Sequence, residues 1–177
     1  MRRTLILLLI IPAFVVHAEE PDVHNLRQEL FALNTDSRLA EDLLLKLEDV
    51  DAYSPLILAY RATCEAHMAK ATGNPFAKFR YLNRANKNLA DAIDQDEQNL
   101  EIRFLRFALQ VQTPKFLGYS KHIAADKEVI MQNFDSYDWK DVDAIILAYI
   151  CDFMIEQGDC SDLEIMQLQQ LRETCRS

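Results

Sequence analysis

Glycine and proline are scarce in this chain, with three and five among 177 residues. Runs in which Val, Thr and aromatic residues alternate with polar ones, the pattern of half-buried strands, are also absent. No Gly-rich phosphate loop, Gly-Xaa-Ser-Xaa-Gly motif or paired Glu and His motif of metalloproteases is present. These absences disfavour a β-rich fold and an enzyme, although an active site assembled from distant residues leaves little local trace. The remaining composition, rich in Leu, Ala, Glu, Asp and Lys, is typical of helices.

Basic residues are outnumbered, 19 against 28 acidic ones, for a net charge of −9. This balance disfavours binding to nucleic acid, which depends on cationic side chains. The charge is uneven, however, because residues 70–127 hold 10 basic and 6 acidic residues between two acidic flanks. The basic middle of the chain therefore either binds an anionic ligand or interacts with the acidic segments on either side of it. We favour the second interpretation, because charge patterning usually serves solvation and packing.

The N-terminus has the pattern of a secretory signal peptide, which we assign to residues 1–18. Arg2 and Arg3 precede an apolar run from Leu5 to Val16, and Val16 and Ala18 occupy the positions that signal peptidase reads. The run is shorter than the roughly 20 apolar residues of a membrane-spanning helix, so we expect cleavage and no membrane span afterwards. The sequence thus predicts a periplasmic or secreted protein whose mature part, 19–177, is a single domain.

Capping residues and apolar spacing predict helices with little else between them. Ser54 followed by Pro55 is a strong helix start, Asn74 restarts the chain at once, and Thr113 before Pro114 ends a helix. Short connections make neighbouring helices antiparallel, so we expect a stack of helical hairpins. The predicted helices cover about 22–33, 37–47, 54–72, 75–93, 100–112, 120–133, 141–157 and 161–175.

A family resemblance is carried by residues 81–101, YLNRANKNLADAIDQDEQNLE. Ala85 and Ala92 lie seven apart, where tetratricopeptide repeats place small residues for close helix packing. The stretch resembles the second helix of such a repeat and the start of the next. Together with residues 74–82, 101–107 and 114–130, it is similar to exported bacterial proteins with tetratricopeptide-like helices. That resemblance implies a tetratricopeptide-like core at about 54–133 and export, but no particular activity.

Basic and aromatic side chains interleave in the middle of the chain. Arg103 and Arg106 lie three residues apart and therefore share a face of the fifth predicted helix. Such groups hold an anionic peptide, glycan or lipid headgroup by guanidinium contacts and stacking. In the alternative that we favour, the nearby Phe residues are core and the arginines pair with Asp91, Asp94 or Glu101. The candidate binding residues are Arg80, Arg84, Arg103, Arg106, Tyr119 and Lys121.

Four cysteines, an even number in a chain predicted to be exported, permit disulfides of unknown pairing among Cys64, Cys151, Cys160 and Cys175. We expect at least one bridge from Cys160 or Cys175, whereas Cys64 and Cys151 also fit as small buried hydrophobes. Cys64 and His67 share a helix face, but two ligands make an incomplete metal site. We therefore expect no metal and no cofactor.

The sequence thus predicts an all-α protein of tetratricopeptide-like hairpins that binds a protein or peptide partner. This step from fold to partner is an analogy, because such stacks commonly expose a concave binding face. The alternative is an enzyme or a lipid- or small-ligand-binding protein with a pocket near residues 116–120. A deep cavity with convergent polar groups favours the alternative, and an open surface lined by Arg and Tyr favours the partner.

Overall fold

The computed structural model describes residues 22–48 and 54–174. In these residues the chain forms eight α-helices and no strand, which confirms the prediction of an all-α protein. The helices are α1 Val23–Ala32, α2 Ala40–Glu48, α3 Pro55–Ala71, α4 Pro75–Gln95, α5 Leu100–Gln112, α6 Ile123–Asn133, α7 Ala144–Gln157 and α8 Asp162–Thr174. Two short 3-10 turns, Ser37–Leu39 and Lys115–Leu117, precede α2 and α6.

Side-chain caps fix the starts of the central helices where the sequence places them. The hydroxyl of Ser54 accepts a hydrogen bond from the backbone of Ile57 at 3.1 Å, and Pro55 occupies the first turn of α3. The amide oxygens of Asn74 and Asn99 cap α4 and α5 in the same way. Each cap satisfies a backbone N–H that has no partner within its own helix.

Two helix starts were predicted too early. The sixth helix begins at Ile123, and the residue before it, His122, makes no side-chain cap, whereas Ser120 was the predicted cap. The backbone N–H of His122 instead donates to the side chain of Gln110 at 2.9 Å, so a distant residue decides this start. The seventh helix begins at Ala144 rather than at Asp141.

Small residues bring α3 and α4 together in the most extensive helix contact of the described chain. Ala59 and Ala62 on α3 and Ala85 and Ala92 on α4 are all fully buried in one cluster. Methyl groups let the two helix axes approach closely, which confirms the packing role predicted for Ala85 and Ala92. The helix α3 also packs against α2 and α5, and α5 packs against α6.

The first and last parts of the described chain meet through α1 and α7. Phe31 and Tyr149 pack edge to face with ring centres 5.3 Å apart, and the hydroxyl of Tyr149 donates to the side chain of Asn34 at 3.3 Å. Gln28 donates to Asp143 at 3.2 Å, just before α7 begins. As a result α1, α3, α5 and α7 surround a common interior, which contains the candidate site.

Candidate functional site

An apolar cleft of about 530 Å³ lies between α1, α3, α5 and α7. The N-terminal part of α4 and the segment 113–117 complete its walls. Volumes of this size are typical of small-molecule sites. The apolar lining includes Leu30 and Phe31 of α1, Leu82 of α4, Phe104, Leu105 and Leu109 of α5, and Ile146 and Ile150 of α7.

A buried ion pair forms the inner end of the cleft. The guanidinium group of Arg27 donates to both carboxylate oxygens of Glu101, at 2.9 and 3.0 Å. The hydroxyl of Tyr60 donates to the same carboxylate at 2.6 Å, and Arg27 also donates to the backbone oxygen of Asp141 at 2.5 Å. Burial first, and then the charge of Glu101, raises the pKa of Tyr60, so its hydroxyl stays protonated. The cluster joins α1, α3 and α5 to the segment that precedes α7.

The open end of the cleft is cationic. Lys70 at the end of α3 and Lys78 near the start of α4 are exposed and line the cleft, as does Gln112 at the end of α5. Glu101 is the only acidic residue among the described residues that line the cleft, and Arg27 neutralises it at the other end. The site therefore combines apolar walls with uncompensated positive charge at its opening.

His67 lies on the cleft wall one turn before Lys70. Its Nδ1 atom is buried and has no hydrogen-bond partner among the described residues. Burial and, to a lesser extent, the charge of Lys70 lower the pKa of His67. The neutral imidazole is thus the form that the folded protein favours.

His67 is expected to make folding less favourable in acid. Its pKa is lowered in the folded state, so the unfolded chain binds the proton more readily, starting below the ordinary value of about 6.5. The stability that the neutral His67 side chain contributes is fully present above pH 6.5, and it is lost as the pH falls through the lower pKa of the folded state. Urea unfolding above and below this range is expected to show a smaller acid loss for His67→Gln than for the wild type. An equal effect of His122→Gln, at an exposed position, contradicts this assignment.

Arg103 and Arg106, two of the predicted binding residues, form an internal ion pair with Asp126. Both guanidinium groups contact Asp126 on α6, which is fully buried. Arg106 forms two bonds of 2.7 Å to it, and Arg103 adds one of 3.1 Å while also donating to the backbone of Glu97. The shared face inferred from their spacing is confirmed, but the partner is neither Asp91, Asp94 nor Glu101. Both guanidinium groups are thus largely buried in an internal ion pair, and their assignment to ligand binding stays a prediction.

The other four candidate residues lie outside the cleft and apart from this pair. Arg84 bonds Glu65 at 2.8 Å, and Arg80 lies over the ring of Tyr81. Tyr119 donates to Asn83 on α4 at 2.6 Å, which fastens the segment after α5, and Lys121 is exposed. Neither Lys70 nor His67 was predicted to line a cleft. For Lys70 and Lys78 one signal was present, because both flank the turn at Gly73 that brings their helices together.

Cysteine chemistry plays no part in the cleft. Cys64 is a free, fully buried thiol, and burial with the nearby charge of Glu65 raises its pKa to about 12. Cys160 is also a free thiol and donates to the backbone of Met154, so the bridge expected from it is not formed. Cys151 is buried in the core, and Cys175 lies outside the described residues. In ranges 22–48 and 54–174, no His, Cys, Asp and Glu side chains cluster as a metal site.

Comparison with models of protein families, with curated proteins and with solved structures finds no match to this chain. Within the described part of the chain, no helix combines the length and apolar character needed to cross a bilayer. The predicted signal peptide, residues 1–18, lies outside the described residues.

Proposed function

We propose that the protein binds a single-chain anionic amphiphile, such as a long-chain fatty acid, in the cleft. The observation that carries the proposal is the combination of apolar walls with exposed Lys70 and Lys78 at the opening. An acyl chain gains free energy by leaving water, and its carboxylate is attracted to the lysines. This is the lipid-binding alternative of the sequence analysis, and it involves no chemical step.

The cleft is elongated. Glu101 and Gln112 lie eleven positions apart on α5, so the cleft extends for about 17 Å at 1.5 Å per residue. A long apolar site with a volume of about 530 Å³ matches the shape of a single acyl chain.

An extended peptide matches the cleft less well than an acyl chain does. Its backbone N–H and C=O groups need hydrogen-bond partners wherever water is excluded. The walls offer mainly Leu, Ile, Phe and Ala side chains there, and the carboxylate of Glu101 already accepts from Arg27 and Tyr60. An acyl chain has no polar groups to satisfy and fits such walls without this cost.

Architecture and export belong to the same proposal. We propose that the helix pairs stack as in tetratricopeptide repeats, in which the first helices of successive pairs line the concave face. The lining of one cleft by α1, α3, α5 and α7 supports this arrangement. The basic start and apolar run of residues 1–18 support export to the periplasm or the exterior.

Affinity is expected to rise with the length of the acyl chain. Each buried methylene contributes about 0.8 kcal/mol, so two more tighten binding roughly 15-fold. Isothermal titration with laurate, myristate and palmitate below their micelle concentrations measures this slope, which is expected to end once the cleft is filled. Equal affinity for all three acids rules out burial of the chain.

The role of Lys70 and Lys78 in holding the carboxylate is tested by comparing a fatty acid with the corresponding alcohol. The alcohol of the same chain length is expected to bind more weakly than the acid, because it lacks the charge that Lys70 and Lys78 attract. Changing both lysines to Gln is expected to remove most of that difference, whereas Lys87→Gln, on α4 but outside the cleft, leaves it unchanged. Equal binding of acid and alcohol by the wild type excludes a role for these lysines.

A further inference from the structure

Three exposed phenylalanines surround the opening of the cleft. Phe76, Phe79 and Phe116 expose 85, 48 and 87% of their surface, respectively. Phe79 and Phe116 both line the cleft, and Phe76 lies one turn before Phe79 on the same face of α4. Large aromatic side chains exposed at the edge of one cleft mark an interaction site.

The chain around these phenylalanines is basic, although the protein as a whole is acidic. Residues 66–90 and 102–125, which supply Phe76, Phe79 and Phe116, contain nine Lys and Arg residues and no Asp or Glu. Four of the nine pair with acidic residues just outside these ranges: Arg84 with Glu65, Lys87 with Asp91, and Arg103 and Arg106 with Asp126. Lys70, Lys78, Arg80 and Lys115 are exposed among the nine. Although the net charge of the protein is −9, these four exposed cations attract an anionic surface that meets them first.

We infer that the opening of the cleft docks on an anionic lipid bilayer. The aromatic rings enter the boundary between headgroups and acyl chains, where amphipathic protein surfaces insert. The surrounding lysines contact the anionic headgroups. This orientation places the opening of the cleft against the membrane. Passage of an acyl chain between bilayer and cleft rests on the proposed function, whereas docking itself does not.

Charge disfavours a second copy of this chain as the occupant of the same surface. In a symmetric dimer each patch faces its own duplicate, so the lysines of one copy meet those of the other. Such juxtaposition of the exposed Lys70, Lys78, Arg80 and Lys115 is repulsive. An anionic bilayer supplies the opposite charge and an apolar layer for the rings at once.

Docking is tested by measuring which side chains reach the bilayer. In the Phe76→Trp variant of the full chain, brominated lipids in vesicles of phosphatidylcholine with phosphatidylglycerol are expected to quench the added tryptophan. The matched variant is Leu163→Trp on α8, where the native leucine is 69% exposed, and its tryptophan is expected to escape quenching. The single native tryptophan, Trp139, is buried and is the common background. No quenching of the Phe76→Trp variant, or equal quenching at both positions, overturns the inference.

A second measurement separates docking from ligand binding. Phe76 and Lys115 do not line the cleft, so the Phe76→Ser, Lys115→Glu double variant is expected to keep its affinity for soluble myristate. Its affinity for the mixed vesicles is expected to fall at least about tenfold, and added salt should weaken the wild type as well. The matched variant, Leu163→Ser with Lys140→Glu, changes exposed residues elsewhere and should bind vesicles like the wild type.

The outcomes of the two assays are distinguishable. If the Phe76→Ser, Lys115→Glu variant loses vesicle binding but still binds myristate, docking is supported. This conclusion holds even if affinity does not depend on acyl-chain length and the proposed function is wrong. Equal vesicle binding by the Phe76→Ser, Lys115→Glu variant and the wild type overturns docking. Light scattering gives a further outcome: a wild-type dimer that this variant dissociates identifies the patch as a self-association surface, which also overturns docking.

Discussion

Replacing Glu101 with Ala is expected to lower the free energy of unfolding by about 3–5 kcal/mol, because the change leaves a buried charge uncompensated. Arg27 is buried and keeps only its bond to the backbone of Asp141, while Tyr60 loses the acceptor of its hydroxyl. Native domains are stable by about 5–15 kcal/mol, so this loss is a large share of the total. Urea unfolding followed by circular dichroism measures it.

A second substitution distinguishes the stability that the Arg27–Glu101 ion pair contributes from the penalty of leaving Arg27 buried without a partner. Removing Arg27 as well, by Arg27→Met, is expected to restore part of the stability lost in the Glu101→Ala variant, because no buried charge then remains without a partner. The matched exposed pair is Lys87 with Asp91 on α4, and Asp91→Ala should cost less than about 1 kcal/mol. Equal losses for Glu101→Ala and Asp91→Ala show that the inner cluster is not the contact that holds these helices together.

This cluster also explains why the cleft exists. The interior of a helix stack is normally filled by side chains, yet here a cleft of about 530 Å³ remains between α1, α3, α5 and α7. Arg27 and Glu101 fill the inner end with hydrogen-bonded charge, and Phe31 with Tyr149 bridges the side. Toward the open end, Ala66, Ala69 and Ala108 are too small to fill the space between the helices. Polar contacts thus hold the helices in place, and the cavity remains because the side chains at its open end are too small to fill it.

The helices were predictable because their signals are local. Ser54, Asn74 and Asn99 cap backbone groups two or three residues away, and Pro114 stops α5 by its own ring. At the start of α6, where the backbone N–H of His122 donates to Gln110 on α5, the predicted cap, Ser120, lies two residues before the observed one. Local chemistry thus fixes most helix bounds of this chain, and tertiary contacts decide the remainder.

The candidate site was less predictable because its contacts cross the whole chain. The sequence indicated a pocket near residues 116–120, and Phe116 and Leu117 do line the cleft. Spacing also placed Arg103 and Arg106 on one face correctly. Their partner, Asp126, lies across the turn between α5 and α6, and the partner of Arg27 lies 74 residues away. Periodicity shows which side chains share a face but not which faces meet, so the ion pairs and the cleft walls required the structure.

Partly filling the cleft is expected to weaken ligand binding strongly without unfolding the protein. Ala108 lies on α5 midway between the inner and open ends and lines the cleft, so the Ala108→Trp variant places an indole ring where the acyl chain would lie. If the ring displaces about four methylenes, the loss is about 3 kcal/mol, or roughly 200-fold in affinity for myristate. Isothermal titration with the wild type and the variant measures the difference.

The Ala108→Trp result is interpretable only if the variant stays folded, since an added ring can cost about 1–3 kcal/mol by overpacking. Ala124→Trp on α6, at an exposed position outside the cleft, is the matched control and should bind myristate like the wild type. Because a ligand that binds the folded state raises the melting temperature, saturating myristate is expected to stabilise the wild type and Ala124→Trp but not Ala108→Trp. Stabilisation of all three proteins to the same extent places the ligand elsewhere, because an indole ring at position 108 occupies part of the space that the chain would fill.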